Sequence, residues 1–334
     1  MRKSALLFSV SALCPLLSAL LLAASGYHVL TEIKIGGEGG WDYLTVDSAA
    51  RRLYVSHATH VVVVDLDKNA IVGDIQDTPG VHGIAIAKDL GKGFISNGRG
   101  NNVTIFDLAT LKATGTVATE MNPDDITYDA GSKRVFAFNG RSKSVTVIDA
   151  KSGTAVATIP LPGKPEFAVA DGKGKVYDNI EDTSEIVEID AAKAMVTKKY
   201  ALTGCEGPSG MAMDTKARRI FSVCGNRVMA VSDPDKGMVV ATPPIGAASD
   251  GVIFDPGVGY AISANGDGTM TVVQQVGGKY EVVENIATER AARTIALDDK
   301  THRVYTPTAA YGASATGGRG QMLPDSFKVL VVGK

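Results

Sequence analysis

The chain has 334 residues, with 34 Lys and Arg set against 36 Asp and Glu, and its formal charge of −2 supplies no general attraction to nucleic acid, which is not expected as a partner. One tryptophan and 6% aromatic residues leave little for sugar stacking. Thirty-seven glycines and 13 prolines point to a turn-rich protein.

Arg2 and Lys3 precede an uncharged, mostly apolar run that ends in the small residues Ala23, Ala24, Ser25 and Gly26. This is the layout of a secretory signal peptide, so residues 1–25 are expected to be removed on export, placing the protein in the periplasm or outside the cell. Residues 26–334 then form the folded domain. The rival reading is an uncleaved membrane anchor, because the run approaches the ~20 residues that span a bilayer; Pro15 and the serines within it favour cleavage.

From there the sequence repeats. After a strand-like stretch at residues 28–35, similar segments begin at Leu44, Ile84, Ile126, Phe167, Met211, Val252 and Ile295. Each runs apolar-x-apolar, an acidic or small turn, then Lys or Arg and a second apolar patch (residues 53–55, 94–95, 135–138). A third patch ends in Asp65, Asp107 or Asp149. Periods of about 40–45 residues built from short strands predict an all-β, seven-bladed β-propeller with four strands per blade. The seventh repeat lacks its fourth strand, and residues 28–35 are expected to supply it, closing the ring and removing its open edges. Cys205 and Cys224 fall at one end of the fifth repeat's first two strands and are expected to form a disulfide.

The repeat also fixes where chemistry can converge. Residues just before each innermost strand are Asp42, His82, Asp124 with Asp125, Glu166, Ser209, Asp250 and Arg293. Other loops of the same face offer His57, His60, Asn97, Asn139, Asn179, Asn226 and Asn265. This set is polar and leans acidic. Carboxylate and amide oxygens of Glu166, Asp250, Asn97 and Asn139 suit a hard cation such as Ca²⁺ or Mg²⁺, and His57 and His82 with Glu166 or Asp250 suit a zinc-like ion. A glycine-rich connection at residues 307–326 is expected to cover the channel mouth, bringing Tyr311 and Arg319 to a ligand. On the opposite face, basic turns such as Arg51-Arg52, Lys133-Arg134 and Arg218-Arg219 follow Asp47, Asp129 and Asp214 and read as solvated.

Tyr54-Val55-Ser56-His57 and Phe94-Ile95-Ser96-Asn97 stand where the YVTN family of β-propellers has Tyr-Val-Thr-Asn, and its Val-x-Val-Ile-Asp element recurs at Val145-Thr146-Val147-Ile148-Asp149. Over residues 28–334 the chain resembles that family, which includes the bacterial YncE-like proteins. The resemblance implies propeller architecture and no particular activity. The function expected is a monomeric binding scaffold that presents its convergent face to a small molecule or a protein partner. The alternative is a metal-dependent hydrolase or lyase laid out like the propeller lactonases. There Glu166 and Asp250 would hold the ion, Asn97 and Asn139 would complete its shell, and His82 would act as general base.

Overall fold

The structure, a computed structural model, describes residues 26–313 and 320–334, so the expected signal peptide at residues 1–25 and Arg319 lie outside the described residues. Seven four-stranded antiparallel sheets follow one another. Blade 1 runs Leu44–Asp47, Arg52–His57, His60–Asp65 and Ala70–Ile75, from the channel outward. Inner strands of blades 2 to 6 are Val81–Ala87, Pro123–Asp129, Pro165–Ala170, Pro208–Asp214 and Ser249–Asp255. Blade 7 combines Ala296–Asp298, Arg303–Thr308 and Lys328–Gly333 with the N-terminal strand His28–Lys34 as its outer member. The ring is therefore closed as expected, with Ile33 paired to Val329 and Glu32 to Leu330.

Period-two alternation explains how one strand serves two neighbours. In blade 3, Val135 and Ala137 pack toward blade 2, while Phe136 and Phe138 between them pack toward blade 4. In blade 1, Leu53 and Val55 join the interface with blade 7, and Tyr54 joins the interface with blade 2. Each blade-to-blade interface thus has its own apolar cluster, and the core of the described residues is divided among the seven interfaces. The innermost strands approach closely enough to require glycine: a Cβ on Gly210 would lie 2.5 Å from the Asp250 carbonyl oxygen in the next blade.

The basic turns differ from their sequence reading. Arg52 bonds the Leu108 carbonyl of blade 2, Lys92 bonds Ala150 of blade 3 at 3.3 Å, and Arg134 bonds Ala191 and Ala192 of blade 4 at 2.7 and 2.8 Å. Arg51 pairs with Asp298 of blade 7 at 2.6 Å, and Arg218 with Asp171 of blade 4 at 3.4 Å. These cations fasten adjacent blades instead of standing free in solvent. The acidic residues before them cap their own turns; Asp47, for example, accepts from the backbone of Ala49 and Ala50 at 3.1 Å. Cys205 and Cys224 are joined, tying the loop entering blade 5 to its second strand.

Candidate functional site

Because the inner strands stand around the channel, residues at their starts meet at one mouth. Asp42 precedes the inner strand of blade 1, His82 and Asp124 are second in those of blades 2 and 3, Asp250 is second in that of blade 6, and Arg293 precedes that of blade 7. They form a continuous line of alternating charge. Arg293 Nε lies 3.1 Å from Asp250 Oδ2, and its Nη2 lies 3.6 Å from Asp42 Oδ1. His82 Nδ1 lies 2.6 Å from Asp42 Oδ2 and 3.0 Å from Asp124 Oδ1. The line spans five consecutive blades, 6, 7, 1, 2 and 3.

Electrostatics follow from that order. Burial works against a charge on the His82 ring, but the hydrogen bonds to Asp124 and Asp42 outweigh it and hold the imidazolium up to a pKa of about 10. Burial raises Asp250 to about 6 against the pull of Arg293. Around the channel in blade 4, Glu166 is raised to about 7, again by burial, although Lys164 lies 2.9 Å away and also bonds Glu181. Asp125 is pushed to about 8 by burial, and the buried Asp178 is pushed well above the usual range for the same reason. Tyr43 lies among these groups, its ring 4.6 Å from that of Phe167 and its hydroxyl 3.4 Å from the Asp250 carbonyl oxygen.

The expected site residues separate into two groups. Asp42, His82, Asp124, Asp250 and Arg293 come together, and Tyr311 reaches the electrostatic surroundings of Arg293 while its ring stands 6.4 Å from that of Trp41. Glu166 stands apart from this line, held by Lys164. Asn97 and Asn139 are buried inside their own blades, where Asn97 Nδ2 donates to Asn102 and Thr104 at 2.6 and 2.8 Å and Asn139 Nδ2 to Ser144 and Thr146 at 3.1 and 3.0 Å. His57 packs against Phe327 and His60, with ring centroids 4.6 and 4.8 Å away, and burial lowers it to a pKa of about 4. It is a neutral packing residue.

The Asn97 and Asn139 amide N–H groups are thus engaged inside their own blades, Glu166 is bound by Lys164 and Asp250 by Arg293. Among the His, Cys, Asp and Glu side chains of the described residues, Asp42, His82 and Asp124 bring their donor atoms within 4.8 Å of one another. Two ligands of one tetrahedral ion at about 2.1 Å stand roughly 3.4 Å apart. The 2.6 Å separation of His82 and Asp42 is instead that of a charge-assisted hydrogen bond.

A cleft of about 360 Å³ opens over this line, walled by Gly40, Trp41, Asp42, Ala58, Gly80, Val81, His82, Arg99, Asn122, Arg141 and Arg293. Arg99, Asn122 and Arg141 were not among the residues nominated from the sequence. The signal for the arginines was present as Asn-Gly-Arg at residues 97–99 and again at residues 139–141. The glycine of this motif is a spatial requirement. A Cβ on Gly98 would stand 2.6 Å from His82 Nε2, and one on Gly140 would stand 3.3 Å from Asp124 Oδ2.

No protein-family model matches the chain, and no curated protein matches it. Solved structures do share its fold. Hydrazine synthase of Kuenenia stuttgartiensis superposes with a TM-score of 0.70 at 14% identity, covering 81% of this chain and 94% of that one. The U3-55K structure superposes with a TM-score of 0.73 at 9% identity, covering 91% of this chain and 98% of that one. At such identities the likeness establishes the propeller fold alone.

Proposed function

We propose that the chain is an exported, monomeric propeller of the YVTN, YncE-like type that binds a small charged ligand or a short partner segment at its channel mouth. The observation that carries this reading is the line Asp250, Arg293, Asp42, His82 and Asp124 beneath an open cleft of about 360 Å³. Pockets of a few hundred Å³ with a few convergent polar groups are the usual setting for small ligands. Five partly buried ionised groups cost desolvation energy that apolar side chains would avoid, and a binding role accounts for their presence at the mouth. The Cys205–Cys224 disulfide and the signal-like residues 1–25 support export.

The test is a thermal-shift screen of small charged and neutral metabolites, repeated on Asp42→Asn and His82→Gln. A ligand whose affinity is unchanged in both variants binds elsewhere, and the proposal is then wrong.

The second reading, a metal-dependent hydrolase or lyase, draws on the Asp42, His82 and Asp124 grouping. In it Asp42, His82 and Asp124 would hold the ion, with His82 as a neutral ligand instead of the general base expected from the sequence. Stoichiometric metal in protein purified without chelators, lost in Asp124→Asn, would favour it.

A further inference from the structure

We infer that Arg99 and Arg141 form a clamp for a small oxyanion, so that the ligand of the mouth carries a phosphate group or a pair of carboxylates; this rests on the channel mouth being the binding site. The two arginines occupy the same turn position in adjacent blades, each directly after an Asn-Gly pair, and both wall one cleft. Gly80 lets the Arg99 stem lie on the backbone, since a Cβ there would stand 2.7 Å from Arg99 Cγ. Both arginines are exposed to solvent at the cleft.

Charge accounting gives the sign of the ligand. Every carboxylate of the mouth line already has a cation: Asp250 has Arg293, Asp42 has Arg293 and His82, and Asp124 has His82. Among the described residues, Arg99 and Arg141 meet no carboxylate or carbonyl oxygen, whereas Arg51, Arg52, Lys92, Arg134 and Arg218 on the opposite face all bond across to a neighbouring blade. The cleft wall therefore carries Arg99, Arg141, Arg293 and His82 against Asp42, with Asp124 beside His82. With Asp250, which Arg293 pairs, the mouth has four cations against three carboxylates, and the two cations left without a carboxylate are Arg99 and Arg141, so the free positions suit an anion. Guanidinium forks present paired N–H donors to planar or tetrahedral oxyanions, which an ammonium does not, and two forks side by side fit one phosphate or two carboxylates.

The test is isothermal titration of the full exported chain with inorganic phosphate and, separately, with succinate at low ionic strength. It is repeated on Arg99→Gln/Arg141→Gln and on Lys173→Gln/Lys300→Gln, which removes the same charge from exposed turns of the opposite face. The clamp requires that at least one probe bind, that affinity fall at least tenfold in the arginine variant, and that it change less than twofold in the lysine variant. The tighter probe then says whether the group recognised is phosphate or carboxylate. Equal weakening in both variants, or no binding of either anion, overturns the clamp. If neither anion binds but a neutral or cationic ligand does, and His82→Gln weakens it, the clamp fails while the mouth stands as the binding site. If no ligand responds to His82→Gln, both fail.

Discussion

His82 Nδ1 and Asp42 Oδ2 lie 2.6 Å apart, joining the entry of blade 2 to the entry of blade 1 at the channel mouth. Asp124 Oδ1 lies 3.0 Å from the same nitrogen, so one imidazolium links three blades. Its folded-state pKa of about 10 stands above the ordinary value of 6.5. The stabilisation it contributes is therefore fully present below about pH 6.5 and is lost as pH rises toward 10. His82→Gln should lower Tm by roughly 3–6 °C at pH 6 and by progressively less up to pH 10. Thermal melts across that range check the slope, and a constant difference at all pH values would show that the ring is not held as a cation.

Asp125 has the opposite consequence. Burial raises it from 3.8 to about 8, so the protonated form suits the fold, and this contribution is lost as pH rises from about 4 through 8. Asparagine keeps an oxygen for the backbone N–H of Ala168, which lies 2.9 Å from Asp125 Oδ2. Asp125→Asn is expected to raise Tm at pH 9 by roughly 2–6 °C more than at pH 5. Melts of both proteins at the two pH values measure it, and an equal change at both would mean that Asp125 is ionised throughout.

The fold was legible because alternation and turn position are repeated seven times, the third strand ends in Asp in five blades (Asp65, Asp107, Asp149, Asp190 and Asp233), and the missing last strand is supplied by residues 28–35. The site was legible only in part. Residues at inner-strand entries converge by topology alone, which is why Asp42, His82, Asp124, Asp250 and Arg293 were found. Asn97 and Asn139 fall near the same face, but their amides turn inward to Thr104 and Thr146, a direction set by cross-strand pairing that spacing does not reveal. His57 sits likewise in a strand-end position yet packs on Phe327, more than two hundred residues away in sequence. Arg99 and Arg141 were passed over because a Gly-Arg turn reads as solvent-facing until the cleft beside it is seen.

Metal dependence separates the two functional readings. With His82 held as an imidazolium by the Asp42 and Asp124 carboxylates, chelator treatment should leave Tm within about 1 °C of the untreated protein, and millimolar Ca²⁺, Mg²⁺ or Zn²⁺ should not raise it, because a ligand of the folded state stabilises only where it binds. A metal-dependent increase of several degrees that disappears in Asp42→Asn would instead put an ion in the place of the shared proton and favour the hydrolase reading.

Gly98 gives the most local check on the mouth. Its backbone does not require left-handed geometry, so alanine meets only a spatial objection: the added Cβ would stand 2.6 Å from His82 Nε2, 2.7 Å from its Cδ2 and 2.9 Å from Asn122 Oδ1. The ring cannot retreat without lengthening its bonds to Asp42 and Asp124. Gly98→Ala should therefore destabilise by about 1–3 kcal/mol, the range for overfilling a packed site. Gly115→Ala, where no atom lies within 4 Å, should be nearly neutral. In a His82→Ala background most of the collision is gone, so the cost of Gly98→Ala should fall by at least half, a coupling that a double-mutant cycle reads directly. Additive effects would mean that the glycine is needed for the turn itself, and that His82 has room to move without loss.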